Sequence, residues 1–183
     1  MIDKQALRQD LRQRRRSLSV SDISLASSQA CKLLRTDARF QSAQSIAIYS
    51  PFSGEIDPTE LVTDRQTFYL PVIDSHTGMH FVEANLSDEM HANRFGILEP
   101  QSGKTIAITS LDMIVLPLVA FNRRGDRLGM GAGFYDRALA NLGGSPYRVG
   151  IAYSWQEVDQ LTSNPWDVPL HAVVTDKEII PCC

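Results

Sequence analysis

A nine-residue apolar run, Met113 to Phe121 (MIVLPLVAF), leads within four residues into a glycine-spaced segment, Gly125-Asp126-Arg127-Leu128-Gly129-Met130-Gly131-Ala132-Gly133-Phe134-Tyr135-Asp136. An apolar run of this length reads as a central strand buried on both faces, which requires helices or loops to cover both sides of a sheet. Residues Phe134 to Leu142 read as a helix closed by Gly143-Gly144, so the glycine segment is a strand-to-helix junction. Pro117 interrupts the run and is expected where no ladder donor is needed, at a bulge.

The rest of the chain alternates in the same way. Asp3 to Leu18 contains no Gly or Pro, and Leu7, Leu11 and Leu18 fall within about 40° of one another at 100° per residue, an amphipathic helix over about 3–18. Ser19 with Asp22 fits a capping box for a second helix running to about Leu34 and ending before Phe40. Ser45 to Tyr49 and Thr67 to Ile73 read as strands, with a short helix started by Asp57-Pro58-Thr59-Glu60 between them. His76-Thr77-Gly78 reads as a turn into an antiparallel return, Met79 to Ala84, and Arg148 to Ser154 and His171 to Thr175 read as the last strands. Strands alternating with helices give an α/β layered domain with a mixed sheet. At 183 residues one domain spanning 1–183 is expected.

No apolar run approaches the roughly 20 residues of a bilayer span, so a soluble cytoplasmic protein with no membrane partner is expected. Cys31, Cys182 and Cys183 have neither metal-ligand nor disulfide-framework spacing and receive no role. Residues 1–16 carry six basic side chains against two acidic ones, so that segment is +4 and the remainder −7 of the formal −3. Attraction for anions is thus concentrated in one helix, where Lys4, Arg8, Arg12 and Arg15 span about 80° beside the leucine seam, and a general nucleic-acid coat is not expected. A solvated basic face is the ordinary fate of such a stripe, and it is the reading kept for Arg14 and Arg16.

Gly129, Gly131 and Gly133 leave backbone N–H groups accessible to an anion beside Arg127, although three alternating glycines serve a tight turn equally well. The spacing is G-x-G-x-G rather than the G-x-G-x-x-G of a dinucleotide fingerprint. Ser102-Gly103-Lys104-Thr105 imitates the end of a Walker A loop, but Leu98 stands where the first glycine is required, so this stretch reads as a surface turn. His76 and His80 flank Gly78 and do not form a helical metal pair.

Arg127-Leu128-Gly129-x-Gly131-x-Gly133-Phe134-Tyr135-Asp136-Arg137 resembles the signature of the 5-formyltetrahydrofolate cyclo-ligase family. Further landmarks follow in the family's order: Lys4-x-x-Leu7-Arg8, Ser53-Gly54-Glu55-Ile56-Asp57, Gly96-Ile97-Leu98-Glu99-Pro100, Leu116-Pro117-Leu118-Val119-Ala120-Phe121 and Trp166-Asp167-Val168-Pro169. The resemblance implies a three-layer α/β/α fold with a mixed, mostly parallel sheet. It also implies ATP- and Mg²⁺-dependent conversion of 5-formyltetrahydrofolate to 5,10-methenyltetrahydrofolate.

By the same resemblance Lys4, Arg8 and Arg127, Leu128, Gly129, Met130, Gly131, Ala132, Gly133, Phe134 and Tyr135 bind ATP. Glu55 and Met130 to Phe134 contact the folate, and Asp136 and Asp167 hold Mg²⁺. Arg12 and Arg15 are candidates to extend the phosphate contact. Taken alone, Asp136 reads as a helix-start residue and Asp167 as a turn residue, while Phe52 and Tyr153 read either as aromatic walls of the site or as core aromatics and are left outside the site. No protein nucleophile is expected, because the reaction is a phosphoryl transfer governed by positioning and charge. Two other readings remain: a nucleotide- or RNA-binding accessory protein using the same helix and loop, and a nicotinamide-dependent oxidoreductase. The expected partners are small molecules and the expected state a monomer.

Overall fold

The fold comes from a computed structural model that describes residues 2–74, 78–85 and 88–182. Helices α1 (Lys4–Arg16), α2 (Val20–Arg35) and the five-residue α3 (Ala38–Ser42) precede the first strand, β1 (Ser45–Ala47). Then come β2 (Thr67–Val72), β3 (His80–Glu83), β4 (Met90–Ala92), β5 (Leu98–Pro100), β6 (Thr105–Ile106), β7 (Met113–Pro117), β8 (Ala120–Phe121) and β9 (Arg127–Leu128). Helix α4 (Phe134–Leu139), β10 (Tyr147–Ala152), β11 (Ala172–Thr175) and β12 (Ile179–Pro181) complete the chain.

Eight strands form one sheet in the order β12-β11-β10-β7-β1-β2-β3-β6. The five from β11 to β2 are parallel, whereas β12, β3 and β6 add antiparallel edges. Side-chain alternation then creates two cores. From β7, Met113 and Val115 point to the side covered by α2 and α3, where they join Ala30, Leu34 and Phe40. Ile114 and Leu116 point to the opposite side and join Leu139 of α4 and Leu170. This is the three-layer α/β/α arrangement with a mixed, mostly parallel sheet.

The local differences from the sequence reading have physical causes. The apolar run 113–121 is two strands, because β7 ends at Pro117 and the chain turns away into β8. Pro117 sits at no bulge. The ladder to β1 has already ended at Ile114, so its missing N–H costs nothing on that side. Helix α4 stops at Leu139 rather than Leu142, and Asn141 takes a left-handed φ of 63°. Ser154 enters a 3₁₀ turn instead of extending β10. Beyond Leu34 a separate helix, α3, contains Phe40; the chain enters it through Asp37, whose carboxylate caps the Arg39 and Phe40 N–H groups. The turn expected at His76-Thr77 lies outside the described residues. Gly103 and Lys104 lie exposed before β6, on the surface as expected.

Helix α1 begins where Asp3 accepts hydrogen bonds from the Gln5 and Ala6 N–H groups, and α2 where Ser19 accepts one from Asp22. Leu7 and Leu11 of α1 dock on Ala120, Leu128 and Leu161. Fully burying a leucine contributes about 2 kcal/mol. Because Leu128 ends β9, this docking lays the basic side of α1 against the start of the glycine loop.

Candidate active site

The docking of α1 creates a cleft of about 590 Å³ at the ends of β1, β2 and β7, within the roughly 300–1,000 Å³ typical of small-molecule sites. One wall is α1 with Lys4, Arg8 and Arg12, and the floor is the loop from Arg127 to Tyr135. Glu55 and Phe52 come from the loop after β1, and Asp136 and Asp167 from two separate segments beyond the glycines. Every residue to which the family resemblance gives a binding role therefore lines this one cleft.

The glycine loop is shaped by two residues that need left-handed backbone. Gly131 has φ +104° and passes the Arg8 guanidinium, which a Cβ at this position would meet at 3.9 Å. Gly133 has φ +68° and is the residue from which α4 starts. Arg8 Nε donates to Gly129 O at 2.9 Å, so the basic helix and the loop are tied directly. Helix α4 is only six residues long, which limits its dipole; the positive character of the site comes from side chains.

Arg127 is almost fully buried and its Nη2 pairs with Asp136 Oδ1 at 2.5 Å. Burial pulls the guanidinium below its ordinary pKa, and the Asp136 carboxylate opposes that. Arg127 Nε is buried and has no hydrogen-bond partner among the described residues, and the same holds for Arg12 Nε. Buried donors in native proteins are almost always satisfied, so two orphans at one cleft mark a place where an anionic acceptor fits.

The two carboxylates are held in different ways. Asp136 Oδ1 also accepts from Val168 N–H at 3.1 Å, which ties α4 to the segment carrying Asp167. Asp167 Oδ2 accepts from Asn164 N and Nδ2, a turn contact, and lies 3.9 Å from Lys4 Nζ. No group of three or more His, Cys, Asp or Glu side chains suited to a metal occurs among the described residues. Two carboxylates without a complete protein cage match the way magnesium binds, through one or two carboxylates with phosphates and water.

Glu55 is 8% exposed. Its Oε2 accepts from Phe52 N–H at 3.1 Å and its Oε1 lies 3.3 Å from Arg15 Nη2. Burial raises the carboxyl pKa, and Arg15 counters it. Arg15 is thus not a phosphate-facing member of the basic stripe: it is 1% exposed, points inward, and does not line the cleft. Its position on the helical wheel, between the leucines and the exposed arginines, permits either direction, and the buried acceptors decide it. Arg14 stacks over the Trp155 ring at 4.3 Å and Arg16 donates to Ser53 Oγ, both away from the cleft.

Several cleft residues carry no role in the sequence reading. Glu99, on β5, accepts from Ile73 N at 3.0 Å and Asn93 Nδ2 at 2.6 Å, and all three line the cleft. Phe95 meets Phe134 edge to face at 6.0 Å. Phe52 lines the cleft after all, whereas Tyr153 is buried behind it and donates to Gly54 O. Trp166, beside Asp167, lines the rim with 71% of its surface exposed. The landmark containing Glu99 is visible in the sequence, but it assigns that residue no role.

Comparison with known proteins settles the family. The model of the 5-formyltetrahydrofolate cyclo-ligase family matches residues 1–176. The chain belongs to that family. It is 35% identical over 180 residues to the 5-formyltetrahydrofolate cyclo-ligase of Escherichia coli K12, covering 92% of this chain and 98% of that one. The Haemophilus influenzae enzyme of the same name is 38% identical over 143 residues, covering 73% of this chain and 76% of that one. The NMR structure of Aquifex aeolicus 5,10-methenyltetrahydrofolate synthetase superimposes with a TM-score of 0.86 at 30% identity, covering 98% and 93% of the two chains. A cyclo-ligase of this family is therefore an enzyme built on the fold described above. No helix among the described residues is long and apolar enough to cross a membrane.

Proposed function

We propose that the protein converts 5-formyltetrahydrofolate to 5,10-methenyltetrahydrofolate, consuming ATP and releasing ADP and phosphate. The observation that carries this reading is the convergence on one loop of a cationic wall and a buried carboxylate. Arg8 reaches Gly129 O, while Arg15 Nη2 touches both Glu55 Oε1 and, at 4.0 Å, Met130 Sδ. The loop thus adjoins groups suited to phosphate and to a pterin.

The chemistry needs such a meeting point. The formyl group on N5 is amide-like, and its oxygen is a poor leaving group. Transfer of the γ-phosphoryl group to that oxygen turns it into a phosphate leaving group; N10 then attacks the formyl carbon and gives up its proton, the ring closes, and phosphate departs. Little covalent work falls to the protein, which supplies position and charge. Lys4, Arg8 and Arg127 would neutralise the ATP phosphates, with Arg127 Nε and Arg12 Nε as donors that have no other partner among the described residues. The loop from Leu128 to Tyr135 would supply backbone donors, and Met130 to Phe134 would also face the folate. The Glu55 carboxylate would accept paired hydrogen bonds from the amino-pyrimidine edge. Asp136 and Asp167 would hold Mg²⁺, which shields the phosphate charge during transfer. The reading includes cytoplasmic action as a monomer on small molecules, without nucleic acid or membrane partners.

The methenyl product absorbs in the near ultraviolet. Purified protein with ATP, Mg²⁺ and 5-formyltetrahydrofolate is expected to generate that absorbance, with ADP formed in equal amount. Folded protein that produces neither overturns the proposal.

A further inference from the structure

Arg15 is the most buried charged side chain in the molecule's described part, and its contacts converge on the site. Nε donates to Ser53 O at 3.0 Å, Nη1 reaches Leu118 O at 3.4 Å, and Nη2 pairs with Glu55 Oε1. The backbone it grips is unusual. Ser53 and Gly54 both have positive φ, 53° and 76°, and a Cβ on Gly54 would lie 2.7 Å from Arg15 O. The loop can therefore pack directly on the helix only with glycine there. One guanidinium joins helix α1, the loop bearing Glu55 and the β7–β8 junction.

We propose that Arg15 is a positioning residue, which keeps the Glu55 carboxylate charged and fixed at the cleft wall and locks its loop to α1. The inference rests on the reading of Glu55 as the folate acceptor. A carboxylate taken out of water reverts to its neutral form unless a cation and hydrogen bonds hold the charge. A protonated Glu55 would present an O–H where the amino-pyrimidine edge needs two acceptors. The groups facing Glu55 are Arg15 and Arg12 from α1, Tyr49 beyond β1, Tyr135 of α4 and Tyr153 beyond β10. Of these, Arg15 alone contacts Glu55 in an ion pair among the described residues. Burial raises the Glu55 carboxyl and Arg15 opposes that rise, so removal of Arg15 shifts the carboxyl further toward its neutral form.

The test compares Arg15→Met, Arg15→Lys, Glu55→Gln and the double variant Arg15→Met/Glu55→Gln, using the full chain. Titration calorimetry with 5-formyltetrahydrofolate alone is run across the neutral pH range. Arg15→Met is expected to weaken folate binding about 10- to 100-fold at pH 7, the range for losing a charged hydrogen bond. The loss should shrink as pH rises and Glu55 ionises, a dependence missing from the wild type and from the double variant. Arg15→Lys keeps the charge without the fork, and should weaken folate without the new pH dependence. Infrared spectra should show a protonated carboxylic acid band in Arg15→Met that the double variant lacks.

Equal, pH-independent losses for ATP and folate, with no such band, would make Arg15 a helix-docking residue only and overturn the proposal. Glu55→Gln separates the two ideas. If it leaves folate affinity intact while the infrared band appears in Arg15→Met, the folate reading of Glu55 fails and the hold of Arg15 on its charge stands. Should Arg15→Met not fold, Arg15→Lys and the double variant, in which both buried partners are removed together, carry the comparison.

Discussion

Arg127 and Asp136 form an ion pair across the glycine loop that separates them, with Nη2 and Oδ1 at 2.5 Å. The pair closes the loop at its base, so the intervening residues bow into the cleft. Asp136 Oδ1 is shared with Val168 N–H, which links the loop, α4 and the segment of Asp167 through one oxygen. A residue that organises the loop and also stands where Mg²⁺ is proposed has two separable roles.

Asp136→Asn tests them. The amide keeps a carbonyl acceptor for Val168 N–H and Arg127 but loses the charge. The expected cost in stability is about 1–2 kcal/mol for a charged hydrogen bond in a partly exposed place. The decisive measurement is the Mg²⁺ titration of turnover, in which half-saturation should move to higher metal concentration while folate affinity changes little. A titration that superimposes on wild type leaves Asp136 as a partner of Arg127 alone.

Arg8→Ala separates the two substrates. Arg8 lines the cleft and its Nε is used by Gly129 O, so its remaining guanidinium N–H groups are the ones proposed to meet phosphate. Binding measurements should show ATP weakened about 10- to 100-fold, as for loss of a charge-assisted hydrogen bond. Folate affinity should change far less. Comparable losses for both ligands would point to a displaced loop rather than a lost phosphate contact.

Much of this arrangement is legible from the sequence, because its causes are local. The Ser19 cap and the leucines of α1 are read within a few residues, and the alternating faces of β7 follow from an apolar run bounded by turns. The resemblance to the cyclo-ligase family locates the cleft. What escapes depends on distant partners. Arg15 looks like its neighbours on α1 until the chain returns 40 residues later with Glu55 and Ser53. The β4–β5 hairpin has three-residue strands with little apolar alternation, and Glu99 of β5 is held by Asn93 of the connecting turn and by Ile73 from outside the hairpin. Strands β8 and β9 are two residues each and pair across the turn at 122–126, below what periodicity detects.

Gly131→Ala probes the loop conformation rather than any charge. At φ +104° an alanine is strained whatever room surrounds it, at a cost of order 1–3 kcal/mol. The loop is expected to relieve that strain by moving, and Arg8 is the neighbour it meets. Calorimetric melting should therefore show a modest loss of stability, accompanied by a larger loss of ATP affinity. Wild-type ATP binding in this variant would show that the left-handed turn is dispensable for the nucleotide.

Asp112 supplies a change in stability that should leave ligand binding alone. It stands just before β7, outside the main cleft, and its Oδ2 accepts from the Gln44 and Ser45 N–H groups and from Ser45 Oγ, each at 2.9 Å. The backbone donors hold its carboxyl below the ordinary aspartate range. A group with a depressed folded-state pKa contributes stability above its unfolded pKa, about 3.9 for aspartate, and loses it as pH falls through the folded value. Asp112→Ala should therefore destabilise the protein by about 1 kcal/mol near pH 7, an amount kept small by solvent screening. Denaturant titrations at successively lower pH should show the gap between variant and wild type closing below pH ~4. ATP and folate affinities should be unchanged at neutral pH. A deficit that persists undiminished in strong acid would mean that packing or the β1–β7 register, not the ionised carboxylate, is what Asp112 provides.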